Sequence, residues 1–347
     1  MAGRINTRRD MKTWLLDLLE CPSCRGAGPL RLEAGERSRD DILGGDLVCL
    51  GCGQRHPIVN GVPRFVASDN YAHAFGWQWN RWRKLQIDRL SGHRLSETRF
   101  IADSRWDPSW IRGKLILDAG CGAGRFTDVA AQLGARVIAC DLSSAIEACR
   151  TNCAEPEGLS PIRGEVAQVQ ANLLDLPFRA GVFDAVFCMG VIQHTPDPPQ
   201  VMRALPRLLK PGGRLAYNFY EHSPLRKFEV IKYALRRTTP GWPEPRLLAL
   251  CKAMVATLFP VTFVMSRIPV VRALVRFIPI CATHSPALTL RQQYEWTLLD
   301  TFDWFNPRYE ICQDHREVAK LLSGLGLREV VSAPGLAWAN KDWANKA

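Results

Sequence analysis

Acidic side chains are short in this 347-residue sequence: 34 of them stand against 45 lysines and arginines, a formal charge of +11. The shortage is local. Between His222 and Ser285 there are ten basic residues, and the only acids are Glu229 and Glu244. A deficit confined to one segment is more than a solubility charge; it points to a surface that meets something anionic. A clean apolar run of membrane-spanning length is also missing. Leu247 to Met265 and Ile268 to Ile280 are apolar, but Lys252, Pro260, Arg267, Pro269, Arg272 and Arg276 interrupt them. The pattern predicts paired helices forming a basic and apolar cap rather than a span. Met1 to Asp10 is basic and polar with no apolar stretch, so no secretory leader is expected. Cytoplasm is the expected compartment, with association to a membrane surface through the basic segment as the alternative.

Cysteine is plentiful, with twelve in the chain. Eight (Cys121, Cys140, Cys149, Cys153, Cys188, Cys251, Cys281 and Cys312) are scattered among apolar residues, which suits buried thiols in a reducing compartment. The other four form two pairs, Cys21-Pro-Ser-Cys24 and Cys49-Leu-Gly-Cys52. Two thiolates three residues apart on a tight knuckle present both sulfurs to one ion, and a second knuckle completes the tetrahedron that Zn²⁺ prefers. Four thiolates fill the coordination shell, so Cys21, Cys24, Cys49 and Cys52 predict a structural zinc site. The polar stretch Gly35 to Asp41 reads as an extended hairpin loop inside it. Leu19-Glu20-Cys21-Pro22 and Cys24, then Cys49 and Cys52-Gly53, then His56 to Phe65, resemble the small zinc-ribbon subunit that activates tRNA and rRNA methyltransferases. The likeness covers residues 13 to 67.

A second constellation begins at Lys114. Lys114 to Ala119 reads as a buried parallel strand. Gly120, Gly122 and Gly124 follow at alternate positions, and Phe126, Val129, Ala130 and Leu133 recur at helical spacing up to Gly134. Strand, glycine turn and helix are the context in which backbone N–H groups approach a nucleotide. The next strand ends at Asp141, whose carboxylate can accept from ribose hydroxyls. Asn172 to Phe178, Phe183-Asp184-Ala185-Val186, Gln193-His194-Thr195-Pro196-Asp197 and Leu209 to Arg214 complete a series that resembles class I S-adenosylmethionine-dependent methyltransferases. The likeness is to the branch that includes ubiquinone and menaquinone biosynthesis enzymes.

That resemblance implies an α/β fold: a Rossmann-like seven-stranded sheet with helices on both faces, behind the small zinc-ribbon domain and carrying a helical insertion. It implies S-adenosyl-L-methionine as cofactor beside structural Zn²⁺. Asp118, Gly120, Cys121, Gly122 and Gly124 would line the methionine end, Asp141 would hold the ribose, and Leu142 would border the adenine. Asn172 stands where the family commonly has an acid contacting the adenine amine, and its side-chain oxygen can still accept from that amine; Asp175 is the less favoured alternative. Leu173 and Gln193 complete the cofactor set. The expected domains are the ribbon (13–67), aromatic linker or lid helices (68–112), the cofactor-binding core (113–222), the insertion (223–290) and the C-terminal part of the core (291–347).

The acceptor is less legible. Methyl transfer from a sulfonium asks the protein mainly to align and desolvate the acceptor. An oxygen or nitrogen acceptor can also need a base, for which His194, Tyr217, Tyr220, Glu221 and His222 are the candidates. Tyr71 to Trp82 and the insertion from 223 to 290 are the segments expected to make the acceptor pocket; the first is either a lid or a helix packed on the sheet. Tyr71 to Trp82 and Asp300 to Tyr309 are aromatic segments that resemble those of ribbon-fused bacterial methyltransferases. The leading expectation is transfer to a small-molecule or lipid-linked acceptor. The alternatives are an RNA or protein methyltransferase and a non-catalytic cofactor-binding partner. The RNA reading finds no RNA-binding module and no Asn-Pro-Pro-Tyr-type run near the expected strand end.

Overall fold

A computed structural model describes residues 11–35, 37–38, 41–66, 70–154, 161–223 and 229–342. The N-terminal unit is an antiparallel sheet in which β1 (Leu30–Ala34) is joined through a two-stranded tip, β2 (Arg37–Ser38) and β3 (Asp41–Ile42), to β4 (Gly45–Cys49), β5 (Arg55–Val59) and β6 (Val62–Pro63). Residues 36, 39 and 40 of the expected hairpin loop lie outside the described residues. Strand β5 buries His56 and Ile58 and exposes its other three residues, the two-residue alternation of a sheet with one covered face.

Helices α1 (His73–Arg81), α2 (Asp88–Ser91), α3 (Leu95–Ser104) and α4 (Pro108–Ile111) lead into the core. There β7 (Leu115–Ala119), α5 (Arg125–Gln132), β8 (Arg136–Asp141), α6 (Ala145–Ala154), β9 (Glu165–Gln170), β10 (Phe183–Met189), α7 (Pro198–Ala204) and β11 (Leu209–Asn218) alternate. The strands carry near-continuous apolar runs because both faces of a parallel sheet are covered by helices. After the cap helices α8 (Val230–Arg236), α9 (Glu244–Met265) and α10 (Leu290–Phe305) come α11 (His315–Gly324), β12 (Leu327–Ala333) and β13 (Leu336–Lys341). The seven-stranded order is β12-β13-β11-β10-β7-β8-β9, parallel from β9 to β11, with β13 antiparallel to both its neighbours. This is the Rossmann-like methyltransferase sheet. Chain order runs outward from β7 to β9 and then returns to β10 on the other side of β7. The switch point therefore lies at the carboxyl ends of β7 and β10, where open α/β sheets bind ligands.

The ribbon packs against the β9 edge of this sheet. Phe65 N donates to Gln170 O at 2.8 Å, Glu20 N to Pro177 O at 3.0 Å and Arg179 N to Leu18 O at 3.0 Å. Arg64 bonds Gln170 and pairs with Glu147. Leu15, Leu19, Leu47 and Ile58 enter the same apolar cluster as Val169, Phe178 and Phe183 of the core. An edge covered in this way is closed to strand addition.

The cap differs from the sequence reading in two respects. Helix α9 runs through Lys252 and Pro260 for 22 residues, and it is long and apolar enough, by length and composition, to cross a membrane. Only a third of its most apolar window is buried. Leu247, Leu248, Cys251, Val255, Phe259 and Thr262 form the buried stripe, the three- and four-residue spacing of one helical face. Its helical partner is α10; the apolar stretch 268–280 adds Ile278 and Ile280 to the same cluster but holds only the short turn Arg272–Phe277 rather than a paired helix. Helix α10 begins at the boundary expected at 290, yet Leu298, Leu299, Phe302 and Phe305 pack into the cap cluster. The prolines at 269 and 279 keep 268–280 from continuing as a helix.

Candidate active site

The turn after β7 is shaped by glycine. Gly120 has φ +92°, and a Cβ there would lie 2.5 Å from the Val191 side chain at the end of β10. Gly124 has φ +87°, and a Cβ there would lie 2.8 Å from Cys149 Sγ. Only glycine combines that backbone conformation with that closeness. Asp141 closes β8 and organises the turn from below. Its Oδ2 accepts from Gly122 N at 2.9 Å, and its Oδ1 accepts from Ser143 N at 2.8 Å and Ser143 Oγ at 2.7 Å. Each carboxylate oxygen has more than one lone pair, so Asp141 retains capacity for a ligand hydroxyl.

Above these strand ends lies a cavity of about 400 Å³. One wall is Gly120, Cys121, Gly122, Asp141, Leu142 and Leu173. The other comes from outside the sheet: Tyr71, Phe75 and Trp79 around α1, Gln86 and Arg99, and Trp296, Asp300, Asp303 and Trp304 of α10. The two aromatic segments thus meet across one site. The ring of Tyr71 is edge-on to Tyr309 at 5.5 Å. Phe75 and Trp79 of α1 line the cavity, while Trp77 and the following Trp82 pack on Phe302 of the cap rather than on the sheet.

His194 borders the cavity between Phe75 and Tyr220, its ring centre 5.2 and 5.4 Å from theirs. Its Nδ1 lies 3.0 Å from Tyr309 O. A carbonyl only accepts, so Nδ1 carries the proton and Nε2 keeps its lone pair. Burial pulls the imidazole pKa below its usual 6.5; Asp303 and Glu310 oppose that and Arg236 adds to it. The neutral ring is therefore the form present at pH 7. Burial also raises the Tyr220 phenol well above 10, so it stays protonated. Asp300 is pushed up to about 7 by burial, with Asp303 adding to the rise.

Other sequence candidates stand elsewhere. Asp118 is buried and accepts from Thr127 Oγ1 at 2.6 Å, behind the turn rather than on the cavity wall. Gly124 starts α5 and does not border the cavity either. Asn172 spends its Oδ1 on Leu174 N at 3.0 Å, a local turn that holds it off the cavity; Leu173 borders the space instead. Asp175 pairs with Arg25 on the surface. Gln193 is fully buried away from the cavity wall. Tyr217 is a core residue donating to Met202 O at 3.0 Å. Glu221 accepts from Gly335 N at 2.9 Å and from His315 N at 3.2 Å, tying α11 to the β12–β13 turn. His222 is exposed and outside the cavity. Arg125 and Gln86 were not singled out from sequence as site residues, and Asp300 and Asp303 entered only as part of the aromatic segment Asp300 to Tyr309. The signals available were the arginine directly after the glycine turn and two acids three apart on one helical face.

The four ribbon cysteines converge. Cys21 Sγ lies 3.7 Å from Cys52 Sγ and Cys24 Sγ 3.5 Å from Cys49 Sγ, and all four sulfurs fall within 4.8 Å of one another. A tetrahedral ion with Zn–S near 2.3 Å sets its sulfurs about 3.8 Å apart, so the donor set and spacing fit structural zinc. His56 Nε2 is 3.5 Å from Cys21 Sγ, placed to support a thiolate from outside the ligand shell.

Comparison with known proteins agrees with this geometry. Residues 117–217 match the family described as Methyltransferase domain, and residues 12–61 match Trm112p-like protein. A ubiquinone biosynthesis O-methyltransferase of Xanthomonas oryzae pv. oryzae is 35% identical over 147 residues, 42% of this chain and 58% of that protein. One of Albidiferax ferrireducens is 33% identical over 146 residues, 42% of this chain and 56% of that protein. The chain therefore spans less than two thirds of the curated relatives it matches. Among solved structures, magnesium protoporphyrin IX methyltransferase from Synechocystis aligns over 78% of this chain and 97% of that one, at 16% identity and a TM-score of 0.43. The sequence matches, the sheet order and the four-cysteine cluster together establish that this chain carries an S-adenosylmethionine-type methyltransferase domain behind a Trm112p-like zinc ribbon.

Proposed function

We propose that the protein is an S-adenosylmethionine-dependent methyltransferase that methylates a hydroxyl of a small, partly apolar acceptor. The observation that carries this reading is the cavity itself, in which the Gly120 turn and Asp141 face His194 and Tyr220. The curated ubiquinone biosynthesis O-methyltransferases matched over the core support an oxygen acceptor. Asp141 would hold the ribose hydroxyls, Leu142 and Leu173 would flank the adenine, and Gly120, Cys121 and Gly122 would border the methionine end. S-adenosylmethionine supplies the activated methyl group when bound. The aromatic wall of Phe75, Trp79, Trp296 and Trp304 excludes water and orients a flat acceptor. With the methyl group so supplied, His194 Nε2 would take the proton that the acceptor hydroxyl gives up. Tyr220, held protonated, lines the cavity beside it. Calorimetric titration with S-adenosylhomocysteine tests the cofactor half of this reading: one site per chain is expected, with affinity reduced at least about a hundred-fold in Asp141→Ala.

We propose in addition that the cap rests on an anionic membrane surface, which suits a lipid-linked acceptor and a working place at the cytoplasmic side of a membrane. Thirteen large apolar side chains are exposed among the described residues, and eight of them (Val230, Ile231, Val261, Val264, Ile268, Val270, Leu274 and Leu290) belong to the cap. Arg267, Arg272 and Arg276 stand among them. Apolar side chains interleaved with arginine suit the headgroup boundary of an anionic bilayer. Phosphatidylglycerol vesicles should co-sediment the wild-type chain and release the Val264→Glu/Ile268→Glu/Val270→Glu variant. Equal sedimentation of the two, or none for the wild type, contradicts the proposal.

A further inference from the structure

Arg125 opens α5 directly after the glycine turn, and its side chain borders the cavity. Its Nε donates to Ser96 Oγ at 3.0 Å and its Nη1 to Gln86 Oε1 at 3.2 Å. Phe126 and Trp296 lie against the guanidinium, their ring centres 5.0 and 5.2 Å from it. Two hydrogen bonds and two rings fix the plane of the group. Both hydrogen-bond partners are neutral, and Arg125 forms no ion pair among the described residues. A guanidinium carries five donors, so three remain for a ligand.

The charge is poorly compensated. Burial pulls the Arg125 pKa down to about 9, and Arg99 adds to the pull; Asp300, Asp88 and Asp103 act against it from beyond ion-pair distance. Arg99 stands at the cavity mouth, where its Nε pairs with Asp103 at 3.1 Å and its Nη2 bonds Asn218 Oδ1 at 3.4 Å. Its guanidinium lies 5.8 Å from the Phe126 ring that Arg125 also faces. A fixed, desolvated cation with unused donors beside a cavity is costly unless an anion joins it. The groups that hold Arg125 come from the segment before β7 and from the cap, not from the strand ends bearing Asp141 and Leu142. Gln86 and Trp296, which touch the guanidinium, line the cavity on the wall that comes from outside the sheet.

We propose that Arg125, assisted by Arg99, is a carboxylate-binding subsite that selects acceptors carrying a carboxylate on the same ring as the hydroxyl to be methylated. This rests on the methyltransferase reading above and names the substrate class of the same site. A guanidinium fork engages a carboxylate through two parallel hydrogen bonds, a geometry lysine does not reproduce.

The test compares 3,4-dihydroxybenzoate with catechol by calorimetry, using the full chain saturated with S-adenosylhomocysteine. The carboxylated probe should bind at least about ten-fold more tightly. Arg125→Gln should abolish that preference, Arg125→Lys should keep part of it, and both variants should bind S-adenosylhomocysteine like wild type. Equal affinities for the two probes in the wild type, or no binding of either, overturns the proposal. A parallel loss of S-adenosylhomocysteine affinity in Arg125→Gln also overturns it, because the guanidinium then serves the cofactor. Should the wild type fail to bind S-adenosylhomocysteine, the methyltransferase reading falls separately. The probes titrated alone still decide the subsite.

Discussion

Replacing His194 by alanine should lower kcat by about a hundred- to ten-thousand-fold, the range set by loss of a positioned general base. S-adenosylhomocysteine affinity should stay within about two-fold of wild type, because the lost group acts in the chemical step. The pH profile gives an independent check. The active form is the neutral imidazole, and burial holds the folded-state pKa below 6.5. The proton-accepting form thus persists to lower pH than a free histidine would allow. Wild-type kcat should be level near neutrality and decline on acidification through an ionisation below pH 6.5. Asp303 and Glu310 favour the charged ring and Arg236 disfavours it, so the displacement is a balance in which desolvation prevails. The histidine limb should vanish in His194→Ala. Asp300 titrates near 7 in the same cavity, and any limb that survives the substitution belongs to it or to the acceptor. Activity within about ten-fold of wild type, with the acid limb intact, would falsify the role given to His194.

Removing the ribbon's metal should have the largest effect on stability. The four sulfurs lie within 4.8 Å of one another, and binding energies at such sites are folding energy on the order of 10 kcal/mol. The loss would reach beyond the ribbon. Leu15, Leu19, Leu47 and Ile58 share an apolar cluster with Phe178 and Phe183, so an unfolded ribbon uncovers the β9 edge and the residues beneath it. Chelation, or Cys49→Ser, should lower Tm by more than about 10 °C, since each kcal/mol moves Tm by about 2–4 °C in a domain of this size. Metal analysis of the purified chain should give one zinc per chain. A zinc-free chain whose Tm is indifferent to chelators contradicts the structural role.

How far the sequence could be read follows from the range of each signal. The cysteine pairs, the glycine turn and Asp141 are local patterns whose chemistry depends on residues a few positions away, and the structure gathers each as a compact cluster. The sheet order likewise follows from a regular alternation of strands and helices. Asn172 was less transparent. Its position suggested an adenine contact, but its side chain is satisfied by its own turn at Leu174. Short-range competition of this kind is what asparagine does well. Tyr217 and His222 were near the expected mouth in sequence, yet strand alternation turns Tyr217 into the core, and His222 lies beyond the strand's end. The acceptor wall was the hardest part. Arg125 matters because Gln86, Ser96 and Trp296 converge on it from three segments, and Asp300 matters because α10 folds over the sheet. Only the tertiary fold creates those meetings. The cap's pairing failed for the same reason: Leu247–Met265 is apolar on nearly every face, so its composition does not name the helix that covers it.

The central claim is that the cavity between Asp141 and His194 holds S-adenosylmethionine. Titration of the full chain with S-adenosylhomocysteine tests it most directly. The account predicts saturable binding at one site per chain, lost in Asp141→Ala and retained in His194→Ala. No binding to the folded wild type, or binding indifferent to Asp141, would contradict it.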